Sequence, residues 1–216
     1  MMSGSMQPAR LPATLPGFEG LARAWNNTHN LCMTKILPGE YYVTTHDEVI
    51  TTVLGSCISA CIRDPMTGTG GMNHFMLPGD TTKSLEKWGG VDASATRYGV
   101  AAMEKLINDI LKQGARKSRL EVKLFGGGHV LDMKLNAVGQ RNIQFARDFA
   151  ATEGLTITSE DLGDVFPRKV NYFPKTGKVM VRRLRALQKR VIADTENQYA
   201  NTLTKKSEPG DIELFG

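Results

Sequence analysis

The chain has 216 residues, 41% hydrophobic and 23% charged, with 8 Phe, 5 Tyr and 2 Trp; this is enough for one full-sized domain and excludes a wholly disordered chain. No apolar stretch approaches the roughly 18 residues of a membrane span, and the N-terminus lacks the apolar region of a signal peptide, so a cytoplasmic protein without membrane insertion is expected. A net charge of +5 favours acidic partners, but the basic run 175–190 has no interleaved aromatics, which argues against a nucleic-acid reader.

In chain order, residues 1–34 are rich in Pro, Gly, Asn and small side chains without a sustained period, and read as an N-terminal extension or loosely packed arm. The core is expected from Ile36. Short β-rich runs follow at 41–44, 48–54, 57–63 and 71–77. The link Asp64-Pro65-Met66-Thr67-Gly68-Thr69-Gly70 is a turn signal that makes 57–63 and 71–77 an antiparallel hairpin.

The period then changes. Val100, Met103, Leu106, Ile107 and Ile110 fall at helical spacing within 92–113, with Asp92 at the start and Gly114 as the stop. A strand at 120–125 runs into Gly126-Gly127-Gly128, and a second helix is expected over 138–153, ended by Gly154. Strands at 155–162, 169–173 and 178–184 close the pattern, the last two joined by the turn Pro174-Lys175-Thr176-Gly177. The expected fold is α/β of the α+β kind: a layered sandwich of mainly antiparallel strands flanked by helices. The domain spans 35–186, and 187–216 form a C-terminal tail, helical at first, then polar and mobile.

Chemistry concentrates in LGSC (54–57) and GGMNHFMLP (70–78). If Arg63 pairs with Gly70 across the turn, Ser59 faces His74 and Cys57 shares that face. Cys57 and His74 are then direct or diagonal neighbours, about 5 to 8 Å apart; a one-residue slip would separate them. A thiol beside an imidazole is the minimal activated nucleophile, so Cys57 is expected as a thiolate that reacts with iodoacetamide ahead of Cys61 and Cys32. Gly55 and Ser56 leave room for substrate and for N–H groups aimed at an oxyanion. Asn73 and Gly127 are further candidates for the substrate pocket, and a hydroxyl at Thr51 could orient the second imidazole nitrogen.

Competing readings stand beside this. Cysteine is often an inert core residue, and Cys61 and Cys32 are read that way. Three cysteines, an odd number, fit reduced thiols better than a disulfide framework. Cys57, Cys61, His74 and His129 lack the paired spacing usual in zinc sites, so no metal is expected.

Together with VGQRNIQFARDF (138–149), DLGDVFPRKV (161–170) and TGKVMVRRL (176–184), these segments resemble the chemoreceptor glutamine deamidase family, CheD, over roughly 35–185. The resemblance implies a catalytic triad of Cys57, His74 and Thr51, and strands sandwiched between helices. It implies a protein-glutamine glutaminase acting on the cytoplasmic helical region of methyl-accepting chemotaxis receptors, with glutamate methyl esters as a second substrate and no cofactor. The alternative it leaves open is a binding partner that regulates a CheC-type chemotaxis phosphatase.

Overall fold

In the computed structural model the described residues are 11–78, 93–129 and 136–206. Among these residues, ten strands form two five-stranded sheets. The first has the order β1 (Ala22–Asn26), β2 (Leu31–Lys35), β4 (Glu48–Leu54), β9 (Arg168–Phe173), β10 (Lys178–Arg183). The second has the order β3 (Tyr41–Thr44), β6 (Thr69–Asn73), β5 (Ile58–Asp64), β7 (Glu121–Gly126), β8 (Thr156–Leu162). Only the β2–β4 and β7–β8 pairs are parallel; the other pairings are antiparallel. The α1 helix (Ala93–Lys112) packs on β3, β5 and β6, and α2 (Asn136–Thr152) on β5, β7 and β8, so the second sheet lies beneath two helices. A single core joins Ile50, Leu54 and Tyr172 of the first sheet to Ile58, Ile62 and Leu124 of the second, and to Leu106 and Ala146 of the helices. This is the expected α+β sandwich.

The β5–β6 hairpin has the expected register, with Arg63 opposite Gly70 and Cys61 opposite Met72. Its turn explains why. Asp64 accepts the Met66 amide on its side chain and the Gly68 amide on its carbonyl, both at 2.9 Å, and Gly68 takes φ 70°, which a residue without Cβ adopts at little cost.

Two segments differ from expectation. The stretch read as a loose arm supplies β1 and β2, the edge of the first sheet, and Cys32 is buried there. Charge is one reason: Glu48 is fully buried on β4 and needs partners. It receives Arg23 from β1 and the Tyr42 hydroxyl at 2.7 Å. The C-terminal segment forms a long helix, α3 (Ala186–Lys206), which lies against the body of the protein. Asp92, expected to open α1, lies outside the described residues.

Candidate active site

Cys57 ends the connection between β4 and β5, so it stands where the chain crosses from one sheet to the other. His74 follows β6 directly and is held by backbone bonds, its amide to Glu40 at 2.9 Å and its carbonyl accepting Gly39 at 2.7 Å. The hairpin register carries past the strand ends, through a bridge between Ile58 and Phe75. Cys57 and His74 therefore meet as expected: Cys57 Sγ, a His74 ring nitrogen and a Glu196 carboxylate oxygen all lie within 4.8 Å of one another, and all three residues are buried.

Thr52, not Thr51, meets the imidazole. Thr52 Oγ1 lies 2.8 Å from His74 Nδ1 and also donates to the Ile36 carbonyl at 2.8 Å. A carbonyl only accepts, so the single hydroxyl proton of Thr52 is committed to Ile36, and His74 Nδ1 must carry the proton of the other bond. The Nδ1–H tautomer leaves Nε2 with a free lone pair, and Nε2 is buried with no hydrogen-bond partner among the described residues. Thr51 points to the opposite face of β4, bonded to Asn171 Oδ1 at 2.6 Å and the Val170 carbonyl at 3.1 Å, and it lines a different cavity with Trp25 and Lys169. Alternation along a strand is the cause: adjacent residues cannot share a face.

The segment Gly55–Ser56–Cys57 is built as an anion cradle. Its three carbonyls are tied backward, Gly55 to the Gly128 amide at 2.7 Å, Ser56 to Asn142 Nδ2 at 2.9 Å, and Cys57 to the Gly127 amide at 2.8 Å. Its three amides consequently face forward and converge on Glu196: Gly55 N at 2.8 Å, Ser56 N at 2.7 Å and Cys57 N at 3.1 Å, with the Ser56 hydroxyl at 2.7 Å. Consecutive N–H groups pointing into one concavity stabilise negative charge, as an oxyanion hole does.

The glycine turn after β7 makes this possible. A Cβ on Gly126, where φ is 114°, would sit 2.1 Å from the Cys57 carbonyl oxygen, and one on Gly127, where φ is 67°, 2.4 Å from Ile143 of α2. Gly127 thus braces the cradle from behind. Asn73 ties β5 to α1, accepting the Ala60 amide at 2.8 Å and donating to the Ala102 carbonyl at 3.2 Å. A cavity of about 390 Å³ reaches Thr52, His74, Thr195 and Glu196, and a smaller one of about 130 Å³ reaches His74, Asn73 and Tyr98.

Sequence reasoning missed Glu196, Asn142 and Thr52, and expected a reactive thiolate. The structure has Cys57 wholly buried. Burial, reinforced by the adjacent Glu196 carboxylate, pushes its thiol well above the ordinary range, while burial pulls His74 down to about 3. The pair is therefore neutral thiol and neutral imidazole with α3 in place. The same Cys57, His74 and Glu196 atoms are also near enough to share a metal ion, although both Glu196 oxygens already accept backbone amides.

The family described as CheD chemotactic sensory transduction matches residues 76–183. A protein of Herminiimonas arsenicoxydans named probable chemoreceptor glutamine deamidase CheD is 53% identical over 193 residues, covering 88% of this chain and 93% of its own. Proteins of the same name from Hydrogenovibrio crunogenus and Hahella chejuensis are 54% identical over 182 residues and 45% over 215; the first covers 84% of this chain and 93% of its own, the second the whole of both. With the family match and these relatives spanning nearly all of its length, the chain belongs to the CheD family.

Proposed function

We propose that this chain deamidates glutamine side chains on the cytoplasmic helical region of methyl-accepting chemotaxis receptors, with Cys57 as nucleophile and His74 as base and acid. The observation that carries the reading is the convergence of a thiol, an imidazole with a free Nε2 lone pair, and three forward-facing amides at one buried point. The names of the relatives support the substrate.

His74 Nε2 takes the Cys57 proton as sulfur attacks the carboxamide carbon. The new C–S bond forms, and the carbonyl electrons move to an oxyanion held by the amides of residues 55–57. The imidazolium returns its proton to the nitrogen, the C–N bond breaks and ammonia leaves. Water, deprotonated by the same imidazole, then hydrolyses the thioester to glutamate and free thiol. A glutamate methyl ester would pass through the same acyl-enzyme, with methanol leaving. Thr52 keeps Nδ1 protonated and so holds the ring in the tautomer these steps require. None of the steps calls for a metal.

The test is incubation of the full chain with a purified receptor cytoplasmic fragment. Ammonia release with glutamine-to-glutamate conversion and no peptide cleavage is expected. Binding without conversion under conditions that expose Cys57 would overturn the reading.

A further inference from the structure

Among the described side chains of α3 the most deeply buried is a carboxylate, where an ordinary docked helix buries an apolar stripe. Glu196 is 1% exposed while Val191, near the start of the helix, is 68% exposed. Ile192, Glu196, Tyr199 and Leu203 follow one another at spacings of four, three and four, so they share one face of α3. Ile192 lines the larger cavity beside His74. Tyr199 bonds the Tyr98 hydroxyl of α1 and rests against Gly39, and Leu203 is buried. Val191, Asp194, Thr195, Gln198, Asn201 and Thr202 on its other faces are exposed. Its fixed point is one glutamate, taking four hydrogen bonds from the residues that hold the nucleophile.

Resting on the deamidase reading, we propose that α3 is a built-in product analogue: it lies along the path of the substrate helix, and Glu196 occupies the position that the newly formed glutamate takes in the cradle. The chemical identity is direct, because the product of deamidation on a helical receptor segment is a helix-borne glutamate. The carboxylate stands within reach of both the Cys57 sulfur and the His74 ring, as a product carboxylate would. It also neutralises the cradle and keeps water and reagents from the thiol, so the enzyme is closed in cis until a receptor helix displaces α3. The neutral thiol–imidazole pair fits a closed state. A receptor segment should therefore be read as an α-helix whose residues at −4, +3 and +7 from the reactive glutamine take the places of Ile192, Tyr199 and Leu203.

The experiment compares full-length wild type, Glu196→Ala and Tyr199→Ala for iodoacetamide labelling of Cys57, read by peptide mapping, and in parallel for deamidation of a receptor fragment. Labelling needs no catalysis, so it tests α3 independently. Cys57 should label about tenfold faster or more in both variants, with Cys61 unchanged as a control for the fold, and fragment deamidation should rise with it. If Glu196→Ala also exposes Cys61, Tyr199→Ala, which leaves the cradle contacts in place, decides. Equal Cys57 labelling in wild type and variants would overturn the product-analogue proposal even if the fragment is deamidated. Faster labelling without any deamidation would uphold α3 as the occupant and remove the deamidase reading instead.

Discussion

Thr52 Oγ1 stands 2.8 Å from His74 Nδ1 while giving its own proton to the Ile36 carbonyl, so one hydroxyl sets the tautomer of the imidazole beside Cys57. Thr52→Val keeps the shape of the side chain but strands the Nδ1–H and the carbonyl. It should lower kcat by about tenfold to a hundredfold with little change in KM, and shift the pH–rate profile, because the ring can then adopt the other tautomer. Thr52→Ser should restore most of the activity. Thr51→Ala, on the far face of β4, should change kcat by no more than about threefold; a larger loss there than in Thr52→Val would reverse the assignment.

The two threonines also show where sequence reasoning stops. β4 is central, between β2 and β9, and nearly every residue on it is buried, so no alternation of polar and apolar side chains reveals which threonine faces His74. The hairpin was readable because its turn chemistry is local: Asp64, Gly68 and Gly70 fix the register, and the register puts Cys57 and His74 together. Glu196 was not readable, because it meets residues 55–57 from across the chain, and a charged residue between Ile192, Tyr199 and Leu203 on a mostly polar helix gives no local sign that it is the one buried. The same holds for Asn142, whose role depends on α2 lying against the cradle.

A glutamine at position 196 would place a helix-borne carboxamide in the cradle. Purified Glu196→Gln is expected to convert residue 196 to glutamate, seen by peptide mass mapping, and the double variant Glu196→Gln, Cys57→Ala should keep its glutamine. Conversion in both would mean that the nucleophile lies elsewhere.

Closing the enzyme around a neutral imidazole links its stability to pH. His74 has its pKa pulled from an ordinary 6.5 to about 3 by burial, so the unfolded chain binds a proton that the folded chain refuses. The stability contribution is complete above about 6.5 and is lost as pH falls toward 3, by roughly 1.4 kcal/mol per pH unit in that window. Thermal melting of wild type should drop between pH 7 and pH 5 more steeply than that of His74→Gln. Parallel curves would show that His74 is not the linked group.

Among the described glycines, Gly126 has the closest approach of a built Cβ to backbone. With φ at 114° and a Cβ that would fall 2.1 Å from the Cys57 carbonyl, Gly126→Ala must displace the cradle. A loss of about 2 kcal/mol or more in stability is expected from the strained backbone and the clash together. Gly154→Ala is the comparison: its φ is also positive, at 65°, but its Cβ would meet nothing. It should cost about 1 kcal/mol and leave activity intact.

The most direct measurement is mass spectrometry of glutamine-to-glutamate conversion in a receptor cytoplasmic fragment treated with wild type or Cys57→Ala. Losing one sulfur from a buried site leaves a small cavity, so the variant should fold and melt close to wild type. With the acyl-accepting atom gone, conversion should fall to the level of the untreated fragment. Conversion by folded Cys57→Ala at the wild-type rate would contradict Cys57 as the nucleophile.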